Sequence, residues 1–295
     1  MKLVEWRLIK DSYHNGFINM AVDEAIMIAH KNGLVPPTIR FYQWSPPAVS
    51  LGYFQDLKKE INVKVCQDIG IDIVRRPTGG KAVLHDQELT YSFIIKENDP
   101  LVNDSILETY KKISGGIIRG LSYLGIKAEL VPLRGKLENN LLDRSDKARI
   151  HHLDFKSICF SVPSQYEVQV EGKKIVGSAQ VRKGGVVLQH GSLLIKLEKD
   201  KLFSVFNFPS VQIREKLKSK FKATSLEEIL KRKIDFSELS NILPRGFEEE
   251  FGVRLVESKL VEQEERISKD LLENKYLTDQ WNYGRKYQDN YFIKN

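Results

Sequence analysis

Two glycine-bearing blocks and one cysteine hold the residues of this chain that could do chemistry. The blocks are RRPTGGKAVLHDQELTYSFI at 75–94 and GKKIVGSAQVRKGGVVLQHGSLL at 172–194; Cys159 stands between them in SICFSVPSQYE. Each block joins an apolar, strand-like run to a glycine turn that carries fixed positive charge. Glycine lets the backbone approach a ligand closely, and Arg75 and Arg76 could meet an anionic or carbonyl group. A thiol near such cations can act as a nucleophile in its thiolate form. The combination suits acyl chemistry.

The individual residues narrow that reading. Gly79-Gly80-Lys81 is not a phosphate loop: Arg75 occupies the position of the first glycine, and Ala82 stands where a magnesium-binding Ser or Thr would follow the lysine. It reads as a plain turn or as a close-approach loop. Cys66 falls at helical spacing with Val63 and Ile69, the pattern of a buried structural thiol. Cys159 lies between Ser157 and Pro163 with no helical period, which fits either a core thiol or a nucleophile. A free thiol titrates at about 8.5, and an adjacent ammonium can lower that to roughly 3.5–7.5. Lys173 and Lys174 sit on the neighbouring hairpin tip. His85 and His190 close strand-like runs, as strand-end polar residues or as site residues. No HxH, HExxH or CxxC spacing supports a metal, so none is expected. His151 and His152 are adjacent and on a strand would face opposite sides.

The elements that must position these residues follow from the apolar periods. Residues 17–31 have helical spacing, with Asn15 as the cap. TIRFYQW (38–44) and AVSLGYF (48–54) read as strands joined through Ser45-Pro46-Pro47. A helix carrying Cys66 ends at Gly70, and IDIVRR (71–76) is a strand leading into Pro77-Thr78-Gly79-Gly80. AVLH and LTYSFII are strand candidates, and 104–124 is a long helix stopped by Gly125. KAELV, ICFSV, YEVQV and VVLQHGSLLI are strands again. YEVQV–EGKK–IVGSAQV reads as a hairpin. From Leu197 to Leu277 the chain is charge-rich and helix-patterned, with a break expected at Pro244 and Gly246. The expected class is α+β: mixed β-sheets flanked by helices, with a domain over 1–245 and a small, mostly helical extension over 246–295.

At 295 residues, 41% hydrophobic and 29% charged, the chain can bury a proper core. No apolar run reaches the 18 or so residues that span a bilayer, and Glu5, Arg7 and Lys10 interrupt any signal-peptide pattern. Two cysteines fit a reducing compartment, so a cytoplasmic protein without membrane association is expected. The net charge of +7 reads either as a solvated surface or as attraction to an acidic macromolecule. Nucleic acid is not expected, since no zinc-finger spacing or RNP-like motif occurs.

RRPTGGKAVLHD, GKKIVGSAQ and LQHGSLL together resemble the catalytic domain of the biotin/lipoate protein ligase family over about residues 1–245. Within it, the chain is most similar to the cysteine-dependent octanoyl-[acyl-carrier-protein]:protein N-octanoyltransferases. The resemblance implies Cys159 as acyl-thioester nucleophile in a CFxxPSxYE context and Lys174 as the residue that lowers its pKa. It also implies Arg75, Arg76, Gly79, Gly80, His85, Gly177, Ser178 and His190 as substrate-binding residues. The implied donor is octanoyl-acyl carrier protein. The implied acceptor is a lipoyl-domain protein (glycine cleavage H-like or a dehydrogenase E2), with no cofactor. ATP-dependent lipoate ligases look similar over the same blocks but carry a third glycine where this chain has Lys81. Three alternatives stay open: an ATP-dependent ligase, an enzyme moving octanoyl between lipoyl domains, and an inert module that binds carrier or lipoyl domains.

Overall fold

The computed structural model describes residues 3–102, 105–132 and 166–292. In chain order the strands are β1 (Val4–His14), β2 (Thr38–Trp44), β3 (Ala48–Leu51), β4 (Asp72–Arg75), β5 (Val83–His85), β6 (Glu88–Lys96), β7 (Glu129–Pro132), β8 (Tyr166–Val170), β9 (Lys173–Lys183), β10 (Val186–Leu194) and β11 (Val253–Glu257). The helices are α1 (Gly16–Lys31), α2 (Leu57–Glu60), α3 (Val63–Asp68), α4 (Ile106–Ser122), α5 (Lys199–Ser204), α6 (Val211–Ser219), α7 (Leu226–Leu230), α8 (Phe236–Phe251), α9 (Glu262–Leu271) and α10 (Asp279–Asn282); a π-helical turn, Leu272–Tyr276, follows α9.

A large sheet runs β11-β1-β2-β6-β10-β9-β8-β7, and a small one β4-β3-β5. Both are mixed: β1 pairs parallel with β11 and β2, while β2, β6, β10, β9 and β8 pair antiparallel in succession. In the small sheet β3 is parallel to β4 and antiparallel to β5. The class is α+β, as the residue pattern implied.

Helix α1 starts where Asn15 caps it, its side chain accepting from the Ile18 N–H at 2.9 Å. One side packs Val22, Ile26 and Met27 against Ile9, Ile94 and Leu188 of the large sheet. Another packs Met20, Ala25 and Ile28 with Leu271, Tyr276 and Trp281 from the C-terminal segment. The opposite face of the large sheet buries Phe41, Tyr91 and Phe93 against α4 and α8. Apolar residues thus leave water on both faces of the sheet, the dominant favourable term in folding.

Residues 244–246 differ from expectation. Helix α8 runs unbroken through Pro244 and Gly246, so a boundary at 245 would cut it. The reason is packing against α4: a Cβ at Gly246 would lie 2.2 Å from the Gly120 nitrogen and 2.3 Å from the Gly116 oxygen. Glycine there lets two helix backbones touch, and that contact overrides its weak helix propensity. The segment after 246 also contributes a strand, β11, beside β1. We expect Gly246→Ala to destabilise the fold by about 3 kcal/mol, since nothing but backbone stands in the way of the new methyl group. A urea midpoint unchanged from the parent would contradict this.

Candidate active site

Arg76 is the centre of the site. Strand β4 delivers it to the junction of the two sheets, where it is 3% exposed. Its Nε donates to Thr78 Oγ1 at 3.0 Å, and its Nη1 donates to the Ser50 carbonyl at 2.9 Å and hydroxyl at 3.1 Å. Its Nη2 donates to the Gly79 and Lys81 carbonyls at 2.8 and 2.7 Å. The loop after β4 is therefore wrapped around one guanidinium. Gly80 takes a left-handed backbone, φ 89°, which glycine adopts without steric cost.

From Arg76 two matched chains of hydrogen bonds run outward. In the first, Thr78 Oγ1 meets His190 Nε2 at 2.7 Å, and His190 Nδ1 faces Asp23 Oδ2 at 3.4 Å. In the second, Ser50 Oγ meets His85 Nε2 at 2.7 Å, and His85 Nδ1 meets Glu88 Oε1 at 2.7 Å. Each chain reads guanidinium, hydroxyl, imidazole, carboxylate. A hydroxyl that accepts from Arg76 has its own proton left for the imidazole, so each histidine presents Nε2 as acceptor and Nδ1–H to the acid. Burial pushes the His190 pKa down, further than Asp23 raises it, so the ring is neutral near pH 7. Burial pushes Asp23 up, but His190 and Arg40 bring it below the usual carboxylate value. Arg40 holds Asp23 Oδ1 at 2.8 Å, and Tyr42 OH donates to Oδ2 at 2.9 Å.

These chains form the polar wall of a cavity with about 340 Å³ of empty space, part of it open to solvent. Ser50, Arg76, His85 and His190 line it together with the apolar Met20, Trp44 and Val83. Trp44 stacks on the His85 ring, centroids 4.0 Å apart. The β9 segment Gly177–Ala179 closes another side. Ser178 Oγ is fixed by Tyr91 OH at 2.8 Å. A Cβ at Gly191 would come within 2.5 Å of Ser178 Oγ and 2.6 Å of the Gly177 oxygen, so this wall requires glycine at 191.

Lys174 opens β9. Its Nζ donates to Glu167 Oε1 of β8 at 2.7 Å, and the two side chains are only 4% and 10% exposed. Its backbone is held as well: the Lys174 N–H donates to the Lys222 carbonyl at 3.0 Å, and the Thr224 N–H donates to the Lys174 carbonyl at 2.9 Å. A buried ammonium needs a counterion to remain charged away from water, and Glu167 supplies it.

Residues 15–248 match the family model described as the lipoyl protein ligase A/B catalytic domain. The chain is 43% identical to the octanoyltransferase LipM of Anoxybacillus flavithermus, over 95% of this chain and 98% of that one. It is 40% identical to octanoyltransferase LipM of Bacillus subtilis, over 97% and 100%. The chain belongs to the lipoyl protein ligase A/B catalytic-domain family, in its octanoyltransferase branch. Among solved structures it resembles the bipartite lipoate protein ligase of Thermoplasma acidophilum, with TM-score 0.78, 25% identity and 97% and 99% of the two chains covered. It also resembles a lipoate-protein ligase A bound with ATP, with TM-score 0.74, 27% identity and 95% and 99% covered. No helix among the described residues is long and apolar enough to cross a membrane.

Of the residues singled out from sequence, Arg76, His85, Gly177, Ser178 and His190 line one cavity of this octanoyltransferase-family fold. Gly79 and Gly80 shape the loop around Arg76 rather than its lining. Arg75 needs correction. Its guanidinium is spent on backbone carbonyls: Gly52, Tyr53 and Gln55 on one side, Trp281 and Asn282 on the other. Neighbours on a strand point to opposite faces, so Arg75 clamps the C-terminal segment while Arg76 faces the site. Cys159, Ser157, Pro163, Ser164, His151 and His152 lie outside the described residues. Sequence reasoning missed Ser50, Trp44 and Met20, and gave no role to Asp23, Glu88 or Glu167. Two of these had a usable signal. Glu88 stands three residues after His85, and Glu167 lies on the partner strand of the predicted hairpin, two residues before Gln169, which stands opposite Lys174.

Proposed function

We propose that this chain takes an octanoyl group from octanoyl-acyl carrier protein and places it on the lysine of a lipoyl domain, through a thioester on Cys159. The observation that carries the reading is the similarity of nearly the whole chain to octanoyltransferases, at 40–43% identity. The cavity adds to it: its lining combines apolar Met20, Trp44 and Val83 with the fixed polar groups of Ser50, Arg76, His85 and His190. Burying an octanoyl chain there is worth up to about 5 kcal/mol, at roughly 0.8 kcal/mol per methylene.

The chemistry balances without an energy source. The Cys159 thiolate attacks the donor thioester carbonyl, and the tetrahedral oxyanion collapses with loss of the carrier thiolate, which takes up the proton that Cys159 gave up. The lysine amine of the acceptor then attacks the new thioester. It loses a proton as the amide forms, and the Cys159 thiolate leaves. Lys174 favours the thiolate in both steps, with Glu167 keeping its ammonium in place. The dipolar wall around Arg76 is pre-organised by its own hydrogen bonds, so it needs no rearrangement when charge develops on the substrate.

The second reading is an ATP-dependent ligase, favoured by the likeness to a lipoate-protein ligase A bound with ATP. Incubation with octanoyl-carrier protein and an apo lipoyl domain separates the two. We expect amide formation with ATP withheld and no change when ATP is added. A strict ATP requirement with release of pyrophosphate would assign the chain to ligation instead.

A further inference from the structure

Residues 275–282 lie past the end of the matched catalytic-domain model, which stops at 248, yet they hold the frame of the site at two points. The first is on α1. Lys275 Nζ donates to both carboxylate oxygens of Glu24, at 2.8 and 2.6 Å, and Tyr276 OH donates to Glu24 Oε2 at 2.6 Å. All three residues are buried. The second point is on β4. The Arg75 N–H donates to Asn282 Oδ1 at 2.8 Å, and Trp281 Nε1 donates to the Arg75 carbonyl at 2.8 Å. β4 is an edge strand of the small sheet, so these two side chains take the place of a further strand. One amide joins the two points: Asn282 Nδ2 donates to the Tyr276 carbonyl at 2.7 Å and to the Thr278 carbonyl at 3.2 Å.

Each point of attachment is the sequence neighbour of a site residue. Glu24 follows Asp23, and adjacent residues on a helix face different ways. Arg75 precedes Arg76, and adjacent residues on a strand face opposite sides. Asp23 and Arg76 are the two ends of one hydrogen-bonded chain, Asp23–His190–Thr78–Arg76. That chain reaches from α1 to β4, so the spacing of these two elements decides whether it closes. Its longest link is His190 Nδ1 to Asp23 Oδ2 at 3.4 Å, near the distance at which a hydrogen bond is lost, and a few tenths of an ångström of slack would break it. The other chain is fixed differently. His85 meets Glu88 and Ser50 at 2.7 Å each and lies stacked on Trp44, so it tolerates the same displacement.

We propose that Asn282 is a positioning residue for the transfer reaction: by joining the α1 anchor to the β4 anchor, it sets the spacing that closes the Asp23–His190–Thr78–Arg76 chain. It acts through Arg75 and Tyr276. With the chain closed, His190 is held as the Nδ1–H tautomer, its Nε2 accepts from Thr78, and the wall around Arg76 keeps its alignment. The effect of Asn282 on the rate rests on the octanoyl-transfer reading above, whereas its effect on His190 stands without it.

The test compares the parent with Asn282→Ala, which removes the joint, and with Tyr276→Phe, which removes one hydrogen bond of the α1 anchor and keeps the ring. Two readouts are taken on folded protein: kcat and KM for octanoyl-carrier protein, and 15N spectra of the imidazole rings, which report the tautomer of each histidine. In Asn282→Ala the His190 nitrogens should move toward a mixture of tautomers while those of His85 stay in place. The kcat should fall about tenfold or more with carrier KM unchanged, because a misplaced wall costs alignment rather than binding. Tyr276→Phe should show both changes to a smaller extent, and it decides the matter by the same signs if Asn282→Ala does not fold. An unchanged His190 spectrum, an equal change at His85, or a His190 change with kcat intact would each overturn the proposal. A parent inactive towards octanoyl-carrier protein, in which the His190 change is still seen on substitution, would strike the transfer reading and leave the clamp standing.

Discussion

Lys174→Ala shifts the alkylation of Cys159 to higher pH by about one to two units and slows acyl-enzyme formation about 10- to 100-fold at neutral pH. The sign follows from charge. An ammonium beside a thiol favours the thiolate and lowers its pKa, so removing it raises the pH at which the sulfur reacts. The size follows from Coulomb's law: two unit charges about 4 Å apart interact by up to roughly 4 kcal/mol at an effective dielectric near 20, before desolvation. Glu167→Gln should reproduce part of the Lys174→Ala effect, since the buried ammonium loses the carboxylate that keeps it charged in the interior. Lys174→Arg should keep part of the shift while misplacing the charge. Iodoacetamide reactivity against pH, read on Cys159 by mass spectrometry, measures all three. A Lys174→Ala profile that overlays the parent would remove Lys174 from the mechanism.

Cys159→Ser abolishes transfer, by at least about a thousandfold, whereas Cys66→Ser retains most of it. The contrast is physical. Cys66 is fully buried on α3 among Val49, Leu51 and Ile71, and burial pushes its thiol up to about 11. At pH 8 only about one molecule in a thousand would carry a thiolate there, and no substrate could reach it. Serine at 66 exchanges one small side chain for another in an apolar site and costs stability, not chemistry. Steady-state transfer rates for both variants, with thermal midpoints to check folding, decide the matter. Equal loss in two folded variants would count against Cys159 as the nucleophile.

The legible part of the fold was the part with strong local periods. Helix α1 and its Asn15 cap, strands β2 and β3, the β8–β9 hairpin and β10 all follow from apolar spacing and turn residues. The elements that sequence hid depend on distant partners. β1 mixes Glu5, Arg7 and Lys10 with Trp6 and Leu8, and reads as a strand only once β2 and β11 pair on either side of it. Its charged Arg7 is buried because Glu264, 257 positions away, meets its guanidinium there. β11 hid in a charge-rich tract for the same reason. Gly246 looked like a helix breaker and is instead the contact point of two helices, a role set wholly by Gly116 and Gly120.

The site divides in the same way. Arg76, His85, Gly177, Ser178 and His190 stood in recognisable blocks and converge on one cavity. Arg75 stood in the same block and points elsewhere, because a strand sends neighbouring side chains to opposite faces. Ser50 and Asp23 carry no local mark. Ser50 is one serine in an apolar strand, and Asp23 is one acid in a helix of mostly buried residues. Each becomes meaningful only as the link between a histidine and a guanidinium. Asp23 is fully buried against Arg40, Tyr42 and His190, an arrangement that no spacing in a single sequence announces.

The most direct measurement is intact-mass analysis of the parent enzyme after mixing with octanoyl-carrier protein in the absence of ATP. The predicted result is one octanoyl group on the enzyme, mapped to Cys159 by peptide digestion, absent in Cys159→Ser, and passed to the lysine of an apo lipoyl domain when that is added. An enzyme that stays unmodified while the lipoyl domain becomes octanoylated, or one that acquires no octanoyl group until ATP is supplied, would contradict the account.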